Sequence, residues 1–272
     1  MVMKSFEAGW STAKYASRYV NGWIGGNKLI RSKSLYGTMM IFLFWYILHI
    51  MLQSPVIPSP FAAVLNFITI LPAVLLPHVL ASLARIIAAA AFSLLLGLPL
   101  GLLTGMNSKA DRLITPIVYI LYPIPKVAFL PVLMILFGLG NASKIILISI
   151  IVIFQIIVTT RDGVHELGKE YFLSAESLDM SRAQLYRHII IPAIMPKIIT
   201  ALRLTVGTGI AVLFFSENFA TRYGIGYFIM NSWVVVNYVE MFSGILALSI
   251  MGLLLFKIID KLESRFCAWM KV

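Results

Sequence analysis

Residues able to do chemistry are few in this chain, and they are scattered. The four histidines, His49, His78, His165 and His188, share no His-Glu-x-x-His spacing, so no zinc-hydrolase pattern is present. A single cysteine, Cys267, excludes a disulfide framework and any multi-cysteine metal site. No Gly-x-x-x-x-Gly-Lys-[Ser/Thr] run occurs, so nothing here cradles nucleotide phosphates in the P-loop manner. No catalytic or metal-ligating residue is therefore expected. What remains is charge where charge is expensive. Arg85, Lys126, Arg203 and Glu217 fall in or at the ends of long apolar runs, and ionisable groups at such depth usually serve a substrate path or an ion pair.

Lys126 lies between Pro125 and Pro131, with Pro116 and Pro123 in the same run, so a continuous helix is disfavoured there. Broken backbone at membrane depth is tolerated only where protein or a water-filled cavity covers it. Lys126 then faces either an anion in transit or the carbonyls that the prolines free. Arg203 sits about 9 Å beyond Lys197 along a helix and Glu217 about 21 Å further, at ~1.5 Å per residue. Arg203 reaches the path or snorkels to the near surface. Glu217 approaches the opposite surface, as a gate, a docking contact or a partner of Arg222. Lys126, Arg203 and Glu217 are the candidates for a translocation path. Arg85 is expected to snorkel to the interface.

The elements that must hold these groups follow from composition. The 272 residues are 60% hydrophobic and 12% charged, with mean hydropathy +0.93. A soluble domain runs nearer ~45–50% apolar and ~25% charged. That excludes an ordinary cytoplasmic enzyme, a disordered chain and, despite the net charge of +11, a nucleic-acid binder. The class is an all-α polytopic membrane protein in a lipid bilayer. A span needs about 20 apolar residues. Six are read: Gly37–Leu52 extended back to Leu35, Leu80–Leu103, Leu113–Phe137, Ile145–Thr159, Ile198–Phe215 and Phe242–Ile259. Residues 61–76, interrupted by Pro72 and Pro77, read as an extracytoplasmic loop with an interfacial helix rather than a seventh span.

With the N-terminus inside, most of the 22 Lys and Arg residues fall in cytoplasmic segments, Arg85, Lys126 and Arg203 lie within spans, and the outer loops keep only Lys144 and Arg222. This asymmetry puts both termini in the cytoplasm. No cleavable signal peptide is expected, since the first apolar run follows a basic arm without a small-residue cleavage site. Residues 1–34 form that arm, with Trp10, Tyr15, Tyr19 and Trp23 among lysines, suited to a membrane surface. Residues 35–265 form the transmembrane domain and 266–272 a cytoplasmic tail. Gly97, Gly101 and Gly105 make a small-residue row that allows close helix packing, read as internal rather than between subunits.

Residues 160–197 are too long for a plain connection and read as a structured cytoplasmic loop. Val164, Leu167 and Tyr171 recur on one helical face. Ser181 with Gln184 matches a capping box, opening a second helix over Arg182–Ile191 that Pro192 ends. Between them, Ser174–Met180 is a short turn offering Leu178 and Met180. The pair makes a rigid knob or a simple surface hairpin.

The run Ser174-Ala-Glu-Ser-Leu-Asp-Met-Ser-Arg-Ala-Gln-Leu-Tyr-Arg-His-Ile-Ile-Ile-Pro192 resembles the EAA loop of ABC importer permeases. Ala175, Ile189, Ile191 and Pro192 fall where that pattern has them, while Leu173 replaces its glutamate and Asp179 its glycine. Pro58-Ser-Pro60, Ser82-Leu-Ala-Arg85, Pro123–Pro131, Phe137-Gly-Leu-Gly140, Gly224-Ile-Gly-Tyr227 and Lys261–Arg265 are similar to the nitrate/sulfonate/taurine-type subgroup. The resemblance covers roughly residues 55–265. It implies a type I importer permease of about six helices in the bacterial cytoplasmic (inner) membrane, with no cofactor of its own. It further implies a second permease copy, two cytoplasmic ATPase subunits that hold ATP and Mg, and an extracytoplasmic substrate-binding protein. The ATPase-coupling residues it implies are Leu173, Ser174, Ala175, Glu176, Leu178, Asp179, Met180 and Ser181. The solute that the resemblance implies is a small anion or zwitterion. A secondary transporter would need inverted repeats with broken helices in both halves, and a membrane enzyme a polar cluster at one face. Neither pattern is visible.

Overall fold

The computed structural model describes residues 27–271, and every regular element among them is helical. The aromatic and basic residues of the arm before residue 27 lie outside the described residues. The chain divides into two compact units, 1–62 and 63–272.

In the first unit, α1 (Asn27–Leu52) begins well before the apolar run, so the 34/35 arm boundary falls inside a helix. The window Leu35–Leu52 has a mean hydropathy of 1.8 and none of it is buried. A helix apolar all round and uncovered by protein is suited to lipid. The turn after it folds back on its last two turns. Trp45 Nε1 donates to Pro58 O at 3.0 Å, and His49 Nδ1 lies 2.7 Å from Ile57 O.

The next segment corrects the sequence reading. Helix α2 (Pro60–Ile70), a five-residue π turn (Leu71–Leu75) and α3 (Leu76–Met106) run on without a loop. The 47 residues extend about 70 Å at 1.5 Å per residue, more than twice a hydrocarbon core of ~30 Å. The prolines do not break the helix because the backbone widens just before Pro77. A proline has no N–H, and its ring collides with the carbonyl four residues back. A π turn, closed here by Leu76 N bonding Leu71 O, shifts that carbonyl aside.

The same device recurs at Pro192. Helix α8 (Arg182–Leu185) passes through a π turn (Tyr186–Ile190) into α9 (Ile191–Glu217), with Ile191 N bonding Tyr186 O. The helix expected to stop at Pro192 therefore continues to Glu217. Pro123 and Pro125 act differently, whereas Pro116 stays inside a helix and Pro131 sits in the first turn of one. Helix α4 (Ser108–Leu121) ends, a 3-10 turn (Lys126–Phe129) follows, and α5 (Leu130–Phe137) leaves at 81°. Helix α6 (Asn141–His165), the short α7 (Lys169–Ser177), α10 (Ile225–Val234) and α11 (Tyr238–Phe266) complete the chain. Among the described residues, five stretches are long and apolar enough to cross a membrane, or six with the bent pair as one span.

The core of the second unit sits between α3, α6, α9, α10 and α11, around Leu147, Ile148, Ile156, Leu213 and Ile225. The glycine row lies on α3 against α6, inside the chain. A Cβ on Gly101 would sit 2.6 Å from Thr160 Cβ and 2.8 Å from Ile157 O, and one on Gly105 2.7 Å from Val164 Cβ. Gly101→Ala is therefore expected to cost about 1–3 kcal/mol by overpacking, although alanine normally favours a helix by roughly 0.5–1 kcal/mol. Gly207→Ala on α9, where no atom lies within 4 Å, should raise the thermal midpoint instead. Opposite shifts of the two variants in the same detergent check the packing.

Candidate functional site

Two sites are built by this scaffold. The first is the knob between α6 and α8. The membrane helix α6 runs to His165, and Gly168, in an extended conformation, opens the separate helix α7. Val164, Leu167 and Tyr171 thus do not share one helix. Val164 is buried with Ile190, Ile194 and Ile198, and Leu167, Phe172, Leu185 and Tyr186 pack partly buried around them. Lys197 forms an ion pair with Glu166. This root fixes the knob on the ends of α6 and α9.

Helix α7 ends in a Schellman stop. Met180 N donates to Ala175 O at 3.1 Å and Asp179 N to Glu176 O at 3.0 Å, which is the 6→1 and 5→2 pairing of that motif. It requires a left-handed residue, and Asp179 has φ +47°. The family pattern has glycine at this position, and Asp is among the few other residues that visit this region routinely. The capping box follows at once: Ser181 N donates to Gln184 Oε1 at 2.8 Å, and Gln184 N to Ser181 Oγ at 3.4 Å. With both ends pinned, Leu173 (61% exposed) and Leu178 (67% exposed) point away from the protein. Ala175 is buried, Met180 half-buried, and Ser174, Glu176 and Ser181 are exposed. Asp179→Gly is expected to leave stability unchanged or raise it by less than about 1 kcal/mol, while Asp179→Val should cost about 1–2 kcal/mol for the left-handed backbone. Thermal unfolding of both variants reads this.

The second site is at the far ends of α3, α6 and α9. Glu217 is fully buried, and its partner is Arg85 at 2.5 Å rather than Arg222. The same carboxylate accepts from Ser82 Oγ (2.8 and 2.9 Å) and from Gly226 N (2.9 Å). Ser82 Oγ also accepts from Ile225 N, and His78 Nδ1 lies within 3.0 Å of both backbone polar atoms of Gly224. Arg85 does not snorkel. It is 6% exposed, and its Nε donates to Asn141 Oδ1 at 2.9 Å. The neighbouring carboxylate favours keeping it inside, since an unpaired charge there costs far more.

This node floors a cavity of about 710 Å³ lined by Arg85, Asn141, Lys144, Thr221, Arg222 and Tyr223. Lys144 is 1% exposed, and among the described residues its ammonium donates to the Leu139 and Gly140 carbonyls, at 3.1 and 3.2 Å. Three cations line the cavity, and Glu217 is the one carboxylate bonded to any of them among the described residues.

The other two path candidates lie elsewhere. Arg203 Nη2 bonds Asp260 at 2.6 Å and Glu263 at 2.8 Å, tying α9 to α11. Lys126 donates to the Leu121 and Tyr122 carbonyls at 2.8 and 2.9 Å, with the Phe154 ring 4.6 Å away. Its ammonium thus caps α4, and the rest of its pocket is apolar. Lys144 carries little signal in the sequence beyond being a basic residue in the first turn after Phe137-Gly-Leu-Gly140.

Residues 97–267, well over half of the chain, match the family model described as binding-protein-dependent transport system inner membrane component. The chain belongs to this family. The permease is 30% identical over 242 residues to the taurine transport system permease protein TauC of Escherichia coli (strain K12), covering 86% of this chain and 88% of TauC. It is 28% identical over 234 residues to the formylaminopyrimidine transport permease protein ThiX of Halalkalibacterium halodurans, covering 86% and 94%. Its fold matches an inward-facing MetNI methionine ABC transporter chain with TM-score 0.62 at 18% identity, covering 71% of this chain and 95% of that one. The permease has the type I importer fold and sides with the nitrate/sulfonate/taurine-type subgroup. It is a multi-pass transport subunit of an ABC importer, not an enzyme, and works with ATPase and substrate-binding partners.

Proposed function

We propose that two copies of this chain form a two-fold dimer in the cytoplasmic membrane, with both termini and the α7 knob in the cytoplasm. Each knob docks into one ATPase subunit, where ATP and Mg²⁺ act. Closure of the ATPase pair drags the knobs together, and the rooted ends of α6 and α9 carry that motion into the membrane as rigid-body rocking. The observation that carries this reading is the exposed pair Leu173 and Leu178, held out from a knob whose two ends are hydrogen-bonded shut. A two-fold dimer supplies two knobs to two ATPases, and closed C2 symmetry is the commonest oligomeric arrangement. The Lys and Arg asymmetry supports the orientation.

The transported solute in this reading is a small anion or zwitterion delivered by the binding protein. The names of TauC and ThiX point to different cargoes. The cation-lined cavity at the end opposite the knob favours a solute with an acidic group. Native mass measurement of the solubilised complex tests the assembly. Two copies of this chain with two ATPases are expected. A different permease chain in the second position would reject the homodimer, and solute uptake without any nucleotide-binding partner would reject the whole reading.

A further inference from the structure

A groove of about 550 Å³ separates α11 from α2 and α3, walled by apolar side chains such as Phe67, Leu71, Leu83, Ile250 and Leu254. Two lysines, Lys257 and Lys261, close one end of it. They lie four residues apart, hence on one face of α11 with Cβ atoms about 5–6 Å apart. Both are exposed, and neither forms an ion pair among the described residues. The acids of the same helix end are engaged on another face: Asp260 and Glu263 both hold Arg203. The end of α11 is thus sorted by sign, with its carboxylates turned to α9 and two uncommitted ammonium groups turned to an apolar slot.

We propose that this groove binds an anionic phospholipid, with one acyl chain along Ile250 and Leu254 and the phosphate between Lys257 and Lys261. Dimensions and charge both fit this occupant. From Ile250 to Lys261 α11 rises about 16 Å, close to the ~15 Å depth of one leaflet in a ~30 Å core. That places the ammonium groups at headgroup level when the groove is filled. Lys257 is also the first charged residue after Glu240 on this helix, so the charge begins where the apolar run ends. Basic pockets between transmembrane helices hold anionic headgroups in this way, and a zwitterionic lipid brings no net charge to them.

Native mass spectrometry of the full chain, or of its complex, released from detergent with phosphatidylglycerol or with phosphatidylethanolamine of the same acyl chains, tests this. Saturable retention of phosphatidylglycerol at least fivefold above phosphatidylethanolamine is expected. The Lys257→Gln, Lys261→Gln double variant should fall to the phosphatidylethanolamine level, while Lys257→Arg, Lys261→Arg should retain the preference. The arginine pair keeps the test decisive if the glutamine pair does not fold. Equal retention of the two lipids, unchanged preference in the glutamine pair, or loss of preference in the arginine pair overturns the proposal. So does a cross-link showing a helix of a second copy seated in the groove.

Discussion

Leu178→Asp is expected to uncouple the transporter. Leu178 is 67% exposed at the tip of a knob that is rigid on both sides, so its side chain is free to enter a partner's groove. In the proposed complex it is desolvated there. An aspartate in its place buries a charge without a partner, at a cost of several kcal/mol. About 3 kcal/mol is roughly a hundredfold in affinity. Substrate-stimulated ATP hydrolysis should fall to the basal rate and co-purification of the ATPase should weaken in step. The thermal midpoint of the permease alone should not move, since the residue touches solvent in the free chain. Leu178→Met, similar in volume and apolar, should retain coupling. Normal stimulation by the aspartate variant would show that the ATPase docks elsewhere.

Glu217→Ala should act through stability rather than coupling. Its carboxylate is the common acceptor for Arg85, Ser82 and Gly226 N, and it is fully buried. Removing it leaves the Nη1 of a nearly buried guanidinium and a backbone N–H without their acceptor, although Arg85 Nε keeps Asn141 Oδ1. Breaking one side of a buried pair costs about 3–5 kcal/mol, a large part of a stability of roughly 5–15 kcal/mol. Accumulation in the membrane and the thermal midpoint should both drop sharply. Glu217→Gln keeps an oxygen for Gly226 N and Ser82 and should be intermediate. Arg85→Met combined with Glu217→Met removes both charges together and should recover most of the loss, because a buried ion pair and an apolar pair of similar volume are often close in free energy. An alanine variant as stable as the parent would mean that water or lipid headgroups already reach the pair. The positions of Gly224 and Gly226 add to the constraint. A Cβ on Gly224 would stand 2.5 Å from Glu217 Cδ, and one on Gly226 2.6 Å from Phe214 O. The start of α10, which abuts the node, therefore has no room for a side chain at either place without a shift of its neighbours.

Much of this molecule is written locally in its sequence. Apolar runs of membrane length, the basic asymmetry between loops, the proline-broken third span and the Ser181–Gln184 cap all depend on residues near one another in the chain. The same holds for the Asp179 turn, where an Asx residue stands at the left-handed position. Other features depend on partners far apart in sequence. Arg85 reads as a snorkelling residue until Glu217, 132 positions away, is brought to 2.5 Å. Arg203 likewise finds its acids on α11, and Lys144 joins Arg85 and Arg222 only when three helix ends meet. The glycine row announces close packing, but only the fold names α6 as the neighbour. Prolines were the least legible residues. The same residue breaks the chain at Pro123 and Pro125 and is absorbed by a π turn before Pro77 and Pro192. One extra residue in the preceding turn moves a single carbonyl aside, and tertiary packing around Leu75 and Ile190, both fully buried, holds that turn in place. Local propensity fixes where a helix is strained. Whether it breaks or widens is decided by what the neighbouring helices can cover.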